Sequence, residues 1–225
     1  MSLKEHLLNH PYPSCIHFSE KGKIIYMKTP KTASTSILNF LKNNFPDIYY
    51  RPSRNEYVLD SDIQDQKDSI LKNRVFDWLN TVSEKQLREY YIFSSVRNPW
   101  DRLVSFCYYY GISVRDYLLN TEKYDFYSPE HLAGHSTPQH FYTHLSTGQK
   151  FVDRIIRLEK IEEDFKYLVS DILPDCKTQP IIEHKNKSKR DNNYINYFDK
   201  NLIDLVYNKY GKDIMYYNYS FGETY

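Results

Sequence analysis

The chain has 225 residues, a formal net charge of +1, and a composition that is 40% hydrophobic and 16% aromatic. That is material for one sizeable core and too apolar for a disordered chain. A balance so near neutrality supplies no global field to attract nucleic acid or an anionic membrane, so any anion site must be local.

No run approaches the roughly 20 apolar residues of a membrane-spanning helix. The opening MSLKEHLLNHPYPSC also lacks the apolar stretch of a signal peptide. Cys15, Cys107 and Cys176 show no CxxC spacing and cannot all pair within one chain, which fits free thiols in a reducing compartment. The expectation is a cytoplasmic protein with one domain over 1–225. Nothing in the pattern speaks to oligomeric state.

Residues 1–22 read as an N-terminal arm holding the turn-prone Pro11-Tyr12-Pro13. Ile24-Ile25-Tyr26-Met27 has the β-branched, apolar character of a buried strand. From Ser34 the period changes, and Ile37, Phe40, Leu41 and Phe45 form one apolar helical face. The connection is Thr29-Pro30-Lys31-Thr32-Ala33-Ser34-Thr35-Ser36, crowded with hydroxyls around one lysine. A strand feeding a helix this way gathers backbone N–H groups, the positive end of the helix dipole and the Lys31 ammonium around one point. That arrangement predicts a phosphate or sulfate cradle with donors from Thr32, Ala33, Ser34, Thr35 and Ser36. The plainer alternative is an ordinary N-cap with a solvated lysine. A Walker loop needs glycines that this loop lacks, so ATP or GTP is not the first expectation.

Between Asp47 and Asp62 lie two short candidate strands, 48–50 and 57–59. Gln64 to Leu87 is helical by pattern, with Ile70, Leu71, Val75, Phe76 and Leu79 apolar and Ser83 with Gln86 as a capping box for a separate last turn. A second strand, turn and helix unit follows. The run Tyr90 to Val96 ends at Arg97, Pro99 suits a first helical turn, and Leu103, Phe106, Cys107 and Tyr110 recur at helical spacing. Arg97 leaves its strand at the C-terminal end, where ligands of open α/β sheets bind. Ser105 lies about two turns along the helix and is expected to face the same point. The alternative for Arg97 is an ion pair with Asp101. In one parallel sheet, strands roughly 5 Å apart would let the two loops hold two phosphates of a single nucleotide.

PKTASTS after a strand, with RNPWDRLVS after a later one, resembles the two nucleotide motifs of the sulfotransferases that use 3′-phosphoadenosine 5′-phosphosulfate, closest to the carbohydrate-type branch. The resemblance implies an α/β, P-loop-like three-layer fold with a central, mainly parallel sheet flanked by helices. It implies that the first loop holds the 5′-phosphosulfate while Arg97 and Ser105 hold the 3′-phosphate. The product would be adenosine 3′,5′-bisphosphate, and the acceptor a small molecule or glycan. More weakly, Ser136 to Phe141, then a strand over Ile155 to Leu158 and a helix with Ile161, Phe165, Leu168, Val169 and Ile172, are similar to the later part of that branch. A late basic loop, 184–190, would close over the nucleotide through Lys187 and Ser188; a solvated charge run is the alternative. Leu202, Ile203, Val206, Tyr207 and Tyr210 read as a packed helix, with 216–221 as a docking tail.

If the donor is the phosphosulfate, Lys31 is the expected charge-stabilising catalytic residue. The proton acceptor is harder to place, because no histidine occurs from Phe18 through Glu130. Asp62 is the first candidate, with Asp60 and Glu56 beside it. The cluster His131, His135, His140 and His144 is the other source, His140 foremost. His140 and His144 are also spaced for a metal, but without an HExxH pattern none is expected. Two competing readings stay open: a P-loop phosphotransferase, and a non-catalytic protein that keeps a nucleotide pocket.

Overall fold

The computed structural model describes residues 1–12, 15–49, 74–125, 135–176, 190–191 and 193–223. In chain order the elements are α1 (Leu3–Leu8), β1 (Ile16–Ser19), β2 (Ile24–Met27), α2 (Ser34–Asn44), α3 (Glu84–Leu87), β3 (Tyr91–Val96), α4 (Pro99–Tyr110), α5 (Val114–Leu119), α6 (Thr121–Asp125), β4 (Arg154–Arg157), α7 (Ile161–Ile172) and α8 (Lys200–Tyr217).

The strands form one sheet in the order β1-β2-β3-β4. β2, β3 and β4 run parallel, with Met27 opposite Ser94 and Val96 opposite Arg157, while β1 is an antiparallel edge. The two-residue period of β2 divides its side chains between two cores. Ile24 and Tyr26 pack with Ile37 and Leu41 of α2 and Phe165 and Leu168 of α7. Ile25 and Met27 pack on the opposite face with Leu7, Phe18, Trp78 and Leu79. A third cluster joins α4, α5 and α8 through Trp100, Phe106, Tyr117 and Val206. This is the expected α/β architecture, a mainly parallel sheet with helices on both faces.

The stretch read as an arm is part of this fold. A Ser2 and Glu5 capping box starts α1, Leu3 and Leu7 are buried, and all four residues of β1 are buried. The turn into β2 needs Gly22, since a Cβ there would stand 2.5 Å from the Phe45 ring. Of the candidate strand 48–50, the described part gives only an isolated bridge from Tyr49 to Phe18; 57–59 lies outside the described residues. Residues 74–81 are helical, the Ser83 and Gln86 capping box is present, and 64–73 lies outside the described residues. The tail expected from Tyr216 begins later: α8 continues to Tyr217, Asn218 caps it in the left-handed region (φ 52°), and Tyr219 is buried.

Candidate active site

The loops 28–33 and 97–98 leave the adjacent parallel strands β2 and β3 at their C-terminal ends, and they meet. Arg97 donates from Nη1 to the Lys31 carbonyl at 3.3 Å. A row of buried hydroxyls braces the cradle against β3. Thr29 Oγ1 lies 3.0 Å from Ser94 Oγ, which donates to the Met27 carbonyl. Thr32 Oγ1 donates to the Thr29 carbonyl at 2.7 Å and lies 2.7 Å from Ser95 Oγ, which is 3.1 Å from Tyr26 OH. The Thr32 hydroxyl is therefore engaged in shaping the loop.

Within the loop, Lys31 (φ 67°) and Ala33 (φ 59°) are both left-handed. That alternation turns successive N–H groups toward one side, as in an anion nest. The N–H groups of Thr32, Ala33, Ser34 and Thr35 donate to nothing among the described residues, whereas Ser36 N–H is taken by the Ala33 carbonyl at 3.0 Å. These are the orphan donors of a helix start, here at the first turn of α2.

Around the cradle stands a ring of cations. Burial, followed by the nearby guanidinium groups of Arg97, Arg190 and Arg102, pushes the Lys31 ammonium down to about 8. The pairing of Arg97 with Asp101 is present, with Nε and Nη2 at 2.8 and 2.6 Å from Oδ2. Asp101 Oδ1 takes Arg190 Nη2 at 2.5 Å, so one carboxylate holds two guanidiniums. Arg190 Nη1 is buried with no hydrogen-bond partner among the described residues. An unsatisfied guanidinium nitrogen, a lysine whose charge is disfavoured and unpaired backbone donors are the features a polyanion would satisfy. Ser105 is half-buried on α4 one turn beyond Asp101, on the same helical face.

Three further residues build the site without a clear mark in the sequence. Arg102 is buried and ties the cradle to 135–137, donating Nε to the Pro30 carbonyl at 3.1 Å and Nη2 to the His135 and Thr137 carbonyls at 2.9 and 2.8 Å. Gln139 brackets the Arg97 peptide: its Oε1 accepts the Arg97 N–H and its Nε2 donates to the Arg97 carbonyl, both at 2.8 Å. Buried Asp213 accepts the N–H groups of Gln139 and His140 at 2.7 and 2.9 Å.

Of the predicted proton acceptors, His135, His140 and His144 fall among the described residues. Asp62, Asp60 and Glu56 lie outside the described residues, as do His131, Lys187 and Ser188. His140 Nδ1 is 2.8 Å from Asp213 Oδ1, and its ring neighbours Phe141 and Tyr216. His135 is linked to Lys31 instead, through the Tyr109 ring. Among the described residues no group of His, Cys, Asp and Glu side chains is arranged to hold a metal. Cavities of about 280 and 370 Å³ lie beside Tyr108 and beside Leu173, lined by neither Lys31 nor Arg97.

Residues 15–111 match the model of the sulfotransferase family. The matched span is a little under half of the chain and contains both loops, from β1 to the end of α4. No curated protein and no solved structure matches with significance. The sulfotransferase match supports sulfuryl transfer in general, and the fold is consistent with it. No helix among the described residues is long and apolar enough to cross a membrane.

Proposed function

We propose that the protein transfers a sulfuryl group from 3′-phosphoadenosine 5′-phosphosulfate to a hydroxyl or amine acceptor, with a carbohydrate as one acceptor class. The observation that carries this reading is the contact of Arg97 with the Lys31 carbonyl, which draws two strand-end loops into one electropositive locus. In this reading the free N–H groups of Thr32 to Thr35 and the Lys31 ammonium receive the 5′-phosphosulfate, while Arg97, Ser105 and Arg190 receive the 3′-phosphate. Lys187 and Ser188 belong to the same basic run of sequence as Arg190 and are assigned to the nucleotide with it.

The acceptor oxygen or nitrogen bonds to sulfur as the bond from sulfur to the 5′-phosphate oxygen breaks, and the electron pair stays on adenosine 3′,5′-bisphosphate. The acceptor proton passes to a base drawn from Asp62, Asp60, Glu56 or His140. Transfer of this type proceeds through a loose in-line transition state, so positioning and neutralisation of the leaving oxygen supply most of the rate. Removing the Lys31 ammonium should cost on the order of 100- to 1000-fold in kcat. The reading includes a single domain and a reducing, cytoplasmic setting, supported by three cysteines that form no disulfide.

Calorimetry tests the donor assignment. Adenosine 3′,5′-bisphosphate should bind far more tightly than 5′-AMP, and Arg97→Ala should remove most of that preference. Equal binding of the two nucleotides would refute it. Magnesium-dependent ATP turnover would favour a phosphotransferase instead. Sulfuryl transfer across glycans, phenols and amines distinguishes an enzyme from a binding protein.

A further inference from the structure

The Lys31 ammonium has a neighbour that the donor does not require. Its Nζ lies 4.1 Å from the centroid of the Tyr109 ring. Tyr109 follows Asp101 and Ser105 at four-residue steps along α4, so it continues the helical face that carries the nucleotide-site residues. Tyr110 meets its ring edge-on at 5.0 Å and 87°, and His135 does so at 6.0 Å and 77°. Tyr110 OH is 2.5 Å from His135 Nδ1. The His135 backbone is in turn fastened to the cradle through Arg102. The wall is thus built from α4 and from 135–137, and pinned to the loop that holds the lysine.

Despite these contacts Tyr109 remains 61% exposed. A phenol ring held by two T-shaped ring contacts and by one cation over its face, yet left open over most of its area, forgoes the stabilisation that burial would give. Beside a charge-stabilising lysine, such a ring face suits a flat partner.

We propose that Tyr109 is the acceptor-side wall of the transfer site, stacking on a six-membered ring that bears the acceptor hydroxyl. The shared chemistry is an apolar ring face with a hydroxyl at its edge, supplied either by the C–H face of a pyranoside or by the π face of a phenol. The Tyr110 and His135 pair forms the polar rim beside that ring. This inference rests on the sulfotransferase reading above.

The test is ligand-observed NMR on the protein loaded with adenosine 3′,5′-bisphosphate, titrated with methyl pyranosides, substituted phenols and open-chain diols. Ring compounds should bind more tightly than the diols, and whichever ring class binds better identifies the acceptor type. Tyr109→Ala should weaken the ring compounds about 10-fold, with Tyr109→Phe and Tyr109→Trp retaining them. The bisphosphate affinity measured alongside should change by less than about 3-fold. Equal binding of rings and diols overturns the proposal, as does an equal loss of bisphosphate affinity in Tyr109→Ala, which would make Tyr109 a donor contact. If the wild-type protein does not prefer the bisphosphate over 5′-AMP, the underlying donor assignment fails first, and that control reads it separately.

Discussion

The crowding of Lys31 makes a quantitative expectation for donor binding. In the ligand-free protein burial and three guanidiniums hold its ammonium at about 8, against an ordinary value of 10.5. A bound polyanion adds negative charge beside the ammonium and should restore the ordinary value. The free protein must then take up a proton to bind, and affinity falls as pH rises through the free value. Between about pH 7 and about pH 9.5 a restoration to 10.5 weakens binding about 25-fold, or about 2 kcal/mol, with uptake rising from about 0.1 to about 0.9 proton. The ligand's own phosphates, with second ionisations near about 6, are already charged over this range. Calorimetry of adenosine 3′,5′-bisphosphate in two buffers of different ionisation enthalpy counts the protons directly. Lys31→Met should bind more weakly at the lower pH and show little slope. A flat wild-type profile, or an equal slope in Lys31→Met, would refute the reasoning.

The same strain should appear in stability. A folded-state lysine below its ordinary value means that the charged form opposes folding near neutrality, so Lys31→Met should raise stability at about pH 7 by on the order of 2 kcal/mol, read by urea melts. Gln139→Ala leaves the Arg97 N–H and carbonyl without their partner; a cost of about 2–3 kcal/mol is expected, together with a smaller ratio of bisphosphate to 5′-AMP affinity. An unchanged ratio would mean that Gln139 supports the fold without positioning Arg97. Burial holds His10 down at about 4 and His17 well below its ordinary 6.5. The unfolded chain therefore binds more protons than the folded one below 6.5, and stability should fall with decreasing pH from there down, while staying flat for these groups above it. His10→Phe should flatten part of that slope in melts taken across about pH 4 to about pH 7.

Much of this architecture can be read from local pattern. β2, α2, β3, α4, β4 and α7 all follow from a switch between strand-like apolar runs and helical spacing. The two strand-end loops follow from where those switches fall. β1 is harder, because Ile-His-Phe-Ser offers only four residues of apolar and polar alternation, the mark of a half-exposed strand, whereas His17 and Ser19 are buried as well. The bracing network is harder still. Ser94 and Ser95 become meaningful only opposite Thr29 and Thr32, some 65 and 63 positions away. Arg190 looks like any member of a basic run until it meets Asp101, 89 positions earlier. Gln139 and Asp213 have no local signature, since their partners lie some 42 and 73 or 74 positions away on other elements. Tyr109 sits in a Tyr108-Tyr109-Tyr110 run whose members differ only by which way the helix turns them.

Ala33 occupies a backbone region that glycine enters without penalty, and it does so at the mouth of α2. Each left-handed non-glycine residue costs roughly 1–2 kcal/mol, yet the loop uses two and clamps them with Arg97, Arg102 and Thr32. A glycine at 33 would relax the turn and let its amides wander. The difference would surface mainly as a faster escape of the anion, because the approach is steered by charges that such a change leaves in place.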